Sequence, residues 1–206
     1  MPTNPDPLDP VVYQLRVIVD GVSPLIWRRL LLSSDTSIAD LHTVLQWAFG
    51  WDDDHLHRFV IHGGEYGISY MCGIGFPDDP DQVRLSRFKL RTGERFTYEY
   101  DFTAGWRLAL RVEQIFAYDP GRAYPACVGG GRAGPPHECA GPWDFMEQRQ
   151  RHNIVALAQR FAALLQDSRH LTDERAELFE LRTWLNIDRF DRRALNRVLT
   201  GQGIVA

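Results

Sequence analysis

Asp52, Asp53, Asp54, His55 and His57 form the densest run of titratable side chains in the chain. Carboxylates and imidazoles at this spacing suit a divalent metal or an acid–base pair. On extended backbone His55 and His57 share a face. A metal reading therefore takes both, with an aspartate or His42 as third ligand. The competing reading is an acidic loop tip leading into a strand, with His57 hydrogen-bonded near the core. A second group, Cys127, His137, Glu138 and Cys139, lies within 118–142. Structural zinc favours paired CxxC knuckles, and the chain has none. Cys139 as a nucleophile needs a base and a lowered pKa. His137 is close in sequence, but closeness in sequence alone does not aim its ring at a substrate shared with Cys139.

The elements that must position these groups are readable from periodicity. Residues 12–20 alternate as a strand, and Asp20-Gly21 marks a hairpin into a second strand at 25–32. Ser37 and Asp40 have capping-box spacing. Ile38, Leu41, Leu45 and Ala48 follow at helical spacing up to Gly50, so 38–49 reads as an amphipathic helix laid on the sheet. Residues 55–62 read as a strand. Phe96, Tyr98, Tyr100 and Phe102 alternate with polar residues, as do Trp106, Leu108, Leu110 and Val112. A three-residue turn, Thr103 to Gly105, would pair Phe102 with Trp106, Tyr100 with Leu108 and Asp101 with Arg107. Residues 118–142 are rich in Gly and Pro and have no period, which reads as a long loop. Three helices are expected beyond it, at 153–167, after Thr172, and at 190–201.

The fold class that results is α+β. An antiparallel sheet of about five strands is packed by one amphipathic helix, and a C-terminal helical segment follows. The expected divisions are a disordered lead at 1–10, a core at 11–145 and helices packed on it at 146–206. Trp27 and Trp106 are the expected core anchors. Trp47, Trp51, Tyr98, Tyr100 and Phe102 also read as core rather than as a surface for stacking nucleobases. The net charge of −4 argues against nucleic acid as the partner. All but one of the 23 basic residues are Arg, which reads as genomic composition. No run of apolar residues matches a bilayer, and an odd count of three cysteines suits a reduced, cytoplasmic protein. There is no P-loop, G-x-G-x-x-G or G-x-S-x-G to name a cofactor or a reaction.

Several landmarks together resemble the Ri-plasmid ORF-three-like family of plasmid- and insertion-element-borne proteins. They are P-x-I-W-R-R at Pro24–Arg29, D-L-H at Asp40–His42 and A-F-G-W at Ala48–Trp51. Others are H-L-H-x-F at His55–Phe59, Y-D-F with a nearby Trp at Tyr100–Trp106, and P-P-x-x-C-x-G at Pro135–Gly141. The last is F-D-x-x-x-x-N at Phe190–Asn196. The resemblance runs over 11–145 and 184–199 and implies an α+β fold with an antiparallel sheet, without an established reaction. Some members carry a resolvase label, for which no recombinase pattern is present. The chain departs from the family's usual G-D-x-W-x-H turn, reading Thr103-Ala104-Gly105-Trp106-Arg107-Leu108, and from its P-P-E-D-C-G-G loop.

Three functional expectations follow. The first is a non-catalytic binding module for a protein or small-molecule ligand, carried with mobile-element genes. Its surface would join the 51–57 loop, the 100–106 hairpin end and the 135–141 loop. The residues are His42, Trp51, Asp54, His55, His57, Tyr100, Asp101, Trp106, Glu138 and Cys139, with no metal assigned. The second is a metal-dependent hydrolase or nuclease, degenerate in this member, in which His55, His57, a nearby aspartate and Glu138 hold the ion. The third is a partner protein acting through the C-terminal helices, which requires an exposed apolar helix face.

Overall fold

The computed structural model describes residues 10–70, 73–166 and 174–201. Residues 1–9 of the expected N-terminal lead, and Thr172 just before the second expected C-terminal helix, lie outside these residues. Seven strands build one antiparallel sheet: β1 (Val11–Val19), β2 (Trp27–Ser33), β3 (His57–Ile61), β4 (Gly64–Tyr66), β5 (Arg95–Tyr100), β6 (Trp106–Ala117) and β7 (Ala126–Gly131). Their order is β4-β3-β5-β6-β1-β2-β7. Helix α1 (Ile38–Phe49) covers one face. It begins as the capping box requires, Ser37 Oγ accepting from Asp40 N, and ends at left-handed Gly50. The core between α1 and the sheet buries Leu15, Val17, Leu30, Leu32, Leu41, Leu45, Tyr98, Leu108 and Leu110.

The α+β class holds, but the sheet has seven strands where about five were expected. One addition is short β4. The other is β7, hidden in the Gly-Pro stretch. Its glycines admit neighbours closer than any Cβ would allow. A Cβ on Gly131 would stand 2.8 Å from the Trp27 indole nitrogen, and one on Gly130 would stand 2.2 Å from the Phe190 ring. β7 is a sheet edge closed by α5 (Arg192–Leu199). There Asn196 accepts from Cys127 N and donates to Cys127 O, while Arg192 donates to Val128 O.

The β5–β6 hairpin corrects a second expectation. Tyr100 pairs with Trp106, Tyr98 with Leu108 and Glu99 with Arg107. The turn spans Asp101–Gly105. Asp101 is left-handed (φ 49°), its carboxylate accepts from Thr103 N and Ala104 N, and its carbonyl accepts from Gly105 N. Leu108 is buried, as the apolar face requires. Trp106 is buried, but Trp27 is only half-buried, lying on the outer face between Arg16 and Arg29. Trp47 and Phe102 are each 43% exposed rather than core.

Arg28 is the largest fully buried side chain. It donates to Ala48 O, Trp27 O and Gly131 O, and its guanidinium lies 3.9 Å from the Phe190 ring centroid. Burial lowers its pKa to about 10. Helices α2 (Pro142–Arg151), α3 (Ile154–Gln166) and α4 (Glu174–Leu185) lie between β7 and α5, and Phe145 of α2 stacks on Trp184 of α4.

Candidate functional site

Helix α1, the loop 51–56 and the ends of β3 and β5 converge on a buried polar chain. Gln46 and His42 stand one helical turn apart on α1 and face the sheet together. Gln46 Oε1 accepts from Asp53 N (3.1 Å), which fixes its amide nitrogen towards the Tyr98 hydroxyl (2.7 Å). The hydroxyl therefore keeps its own proton for His42 Nδ1 (2.8 Å). That order of donors assigns the His42 proton to Nε2, which meets Asp53 Oδ1 at 2.5 Å. The result is an oriented line, Gln46 to Tyr98 to His42 to Asp53. It ends in a carboxylate that is 47% exposed on a left-handed residue (φ 58°). Burial raises the Tyr98 pKa well above its ordinary value, so the phenol stays protonated.

His57 stacks on His42, ring centroids 3.6 Å apart and planes 14° from parallel. Its Nε2 accepts from Ile68 N at 3.3 Å, and its buried Nδ1 has no partner among the described residues. Burial, with His42 alongside, pushes its pKa down to about 3, so the imidazole is neutral. Burial also lowers His42, against the opposing pull of Asp53. His42, Asp53 and His57 each bring a ligand-type atom within 4.8 Å of the others. Two features set this apart from a shaped cation site. Lone pairs of face-to-face imidazoles run side by side rather than to one point, and both nitrogens of His42 are already engaged.

The other candidates separate. His55 stays near the surface, 3.4 Å from Asp54 and 3.7 Å from Asp101, and does not join His57. Asp52 pairs with His137 at 3.0 Å. Asp54 accepts from the Tyr100 hydroxyl at 3.0 Å, the main reason its pKa is lowered. Trp51 stacks on Tyr100 at 4.9 Å. Glu138 is exposed and makes no ion pair among the described residues. Cys139 is buried, and burial raises its pKa to about 12, which leaves no thiolate for nucleophilic attack. Each aspartate of 52–54 thus serves a different partner.

The three loops do meet. Asp52–His137 ties 51–57 to 135–141, and His55–Asp101 ties it to the hairpin turn. A Cβ on Gly141 would stand 2.1 Å from Ala104 O, so the third pair is also in contact. Beside the turn, on the outer face of the sheet, an open cleft of about 530 Å³ runs between Arg58–Glu99 and Arg107–Asp20, both pairs at 2.7 Å. Tyr100, Asp101, Trp106 and Pro142 also bound it, and Phe102 is its exposed aromatic. Sequence reasoning missed Gln46 and Tyr98 as site residues. The four-residue step from His42 to Gln46 is the signal that would have found the first.

Residues 11–198 match the family model described as plasmid pRiA4b ORF-3-like protein. The chain belongs to this family. A relative within reach of alignment is the uncharacterized protein y4hQ of Sinorhizobium fredii (strain NBRC 101917 / NGR234). It is 29% identical over 186 residues, covering 90% of this chain and 86% of that one. Among solved structures, the protein of unknown function MM3350 from Methanosarcina mazei Go1 superposes with a TM-score of 0.66. It is 27% identical and covers 90% of this chain and 97% of that one. The plasmid ORF-3-like match spans the sheet, α1 and the C-terminal helices alike, from β1 to α5.

Proposed function

We propose that this plasmid ORF-3-like protein is a non-catalytic binding module that works through the open cleft beside the β5–β6 turn. The observation that carries this reading is the cleft's lining. Two guanidinium–carboxylate pairs flank an exposed aromatic ring, while Asp52 and Asp54 go to separate partners, His137 and Tyr100. Such a surface suits a small or peptidic ligand that bears charge of both signs around an apolar group. The Arg58 guanidinium, 5.5 Å from the Phe102 ring, helps hold that ring in place.

The test is amide chemical-shift mapping with tripeptides in which an aromatic residue stands between an acidic and a basic one. Shifts gathered on Asp20, Arg58, Glu99, Phe102 and Arg107, and lost in Phe102→Ala, support the reading. Shifts scattered elsewhere, or none at millimolar peptide, end it.

Metal-assisted chemistry remains a second reading because three ligand-type residues do gather at His42, Asp53 and His57. Elemental analysis of tag-free, chelator-free protein decides between them. Near-stoichiometric zinc, manganese or iron that disappears in a His42/His57 double variant would replace the binding reading with the hydrolase one.

A further inference from the structure

The outer face of the sheet, opposite α1, carries a row of arginines in cross-strand register. Arg95 of β5 pairs with Arg111 of β6, Arg111 with Arg16 of β1, and Arg16 with Arg29 of β2. Residues in direct register on neighbouring strands point to the same face. Adjacent strands stand about 4.8 Å apart, so the row spans about 14 Å. Arg95 and Arg111 are exposed, and Arg16 and Arg29 are half-buried. Like charges set directly opposite one another oppose sheet formation, and here three such pairs follow in succession.

Glu113 is the one carboxylate that bonds to the row among the described residues. It takes the Arg29 fork at 2.5 and 3.0 Å, and Arg16, Arg95 and Arg111 make no ion pair there. Glu94, next to Arg95 in sequence, goes to His62 and to Arg91 N instead. Arg16 Nε is buried and has no acceptor among the described residues. The Trp27 ring lies 5.4 Å from the Arg16 guanidinium and 5.5 Å from that of Arg29, so both are set in place before a ligand arrives. Two rungs along the same face, Arg58 and Arg107 each have a carboxylate, Glu99 and Asp20. The excess of positive charge is thus confined to one rung, and a net charge of −4 does not remove a local potential. Guanidinium forks match phosphate oxygens in geometry as well as charge. A patch this short suits a small ligand of linked phosphates, whereas a nucleic-acid backbone needs a longer basic track.

We propose that this row is a binding site for a small oligophosphate, a di- or triphosphate group free or carried on a nucleoside, held by Arg16, Arg95 and Arg111.

The experiment is isothermal titration calorimetry of the full chain at physiological salt, with sodium triphosphate and with adenosine triphosphate. Triphosphate should bind one per chain with a Kd below about 100 µM. Arg95→Gln and Arg111→Gln should each weaken it about tenfold, the loss of one charge-assisted hydrogen bond. Both variants relieve like-charge pairs, so their melting midpoints without ligand should hold or rise, which separates lost binding from lost folding. Arg193→Gln removes an equal charge from an exposed position on α5 and should leave the affinity unchanged. Equal affinity for the two ligands assigns recognition to the phosphates alone. Tighter binding of the nucleotide, returned to the triphosphate level by Trp27→Leu, assigns it to a nucleoside-borne group. No binding of either at about 1 mM overturns the proposal. So does sulfate binding as tightly as triphosphate, or wild-type affinity in both Arg95→Gln and Arg111→Gln.

Discussion

His57 is the residue at which burial and protonation conflict most directly. Its ordinary pKa is near 6.5, and in the fold it is about 3. Between those values the unfolded chain takes up a proton that the folded chain refuses. The stability tied to this group is therefore complete above pH 6.5 and drains away as pH falls towards 3. The slope is on the order of 1.4 kcal/mol per pH unit for one proton. His42 is shifted in the same direction and steepens the loss. Urea unfolding between pH 4 and 7 should show this slope, and His57→Gln should flatten it. An unchanged slope in that variant would place the titration elsewhere.

Arg28 poses a different problem at the same scale: a buried cation held by three carbonyls and an aromatic ring, without a carboxylate. A lysine lacks both the fork and the flat face for this role. Arg28→Lys should cost about 2–3 kcal/mol, the strength of one or two charged hydrogen bonds, read as a lower urea midpoint at constant slope. The adjacent arginines of the W-R-R motif were plain in the sequence, but their opposite fates were not. Arg29 pairs with Glu113 on the outer face, and only the three-dimensional course of 190 reveals what Arg28 packs beneath.

At the scale of elements, legibility followed local chemistry. Helix α1 could be read to its ends because a capping box and a terminal glycine are short-range signals. The β5–β6 strands could be read from alternation, but their register could not. The register depends on a turn that Asp101 builds with its own carboxylate, two residues earlier than the glycine suggested. β7 could not be read because three glycines carry no strand preference, and that strand exists through what packs over them. The His42–Tyr98 contact joins positions 56 residues apart, a distance no local pattern spans.

The same scale yields a test of the Trp106 anchor. Trp106 is 4% exposed and packs edge-on against Phe145, 6.5 Å between centroids. Trp106→Ala should cost about 3–5 kcal/mol in thermal or urea unfolding. A loss below 1 kcal/mol would mean that the hairpin end repacks without it.

Over the whole molecule, the C-terminal helices and the sheet are bound at several points far apart in sequence. Phe190 covers Arg28, Asn196 holds Cys127 by both backbone groups, and Arg132 and Arg149 share Asp188. A division at residue 145 falls inside α2. Phe190→Ala should therefore lower the stability of the sheet as well as the tail. Fluorescence and far-ultraviolet circular dichroism should report one coincident transition. Two separated transitions would mean that the sheet and the helices fold as independent units.

The clamp of Asn196 and Arg192 on β7 also bears on the fate of incomplete chains. A sheet edge with free N–H and C=O groups is a template for any other strand. In the intact protein a helix from the far end of the chain occupies that template. A proteolytic fragment that ends before α5 would keep the sheet-forming sequence and lose its cover. Such fragments should polymerise edge to edge, which makes α5 a safeguard against aggregation.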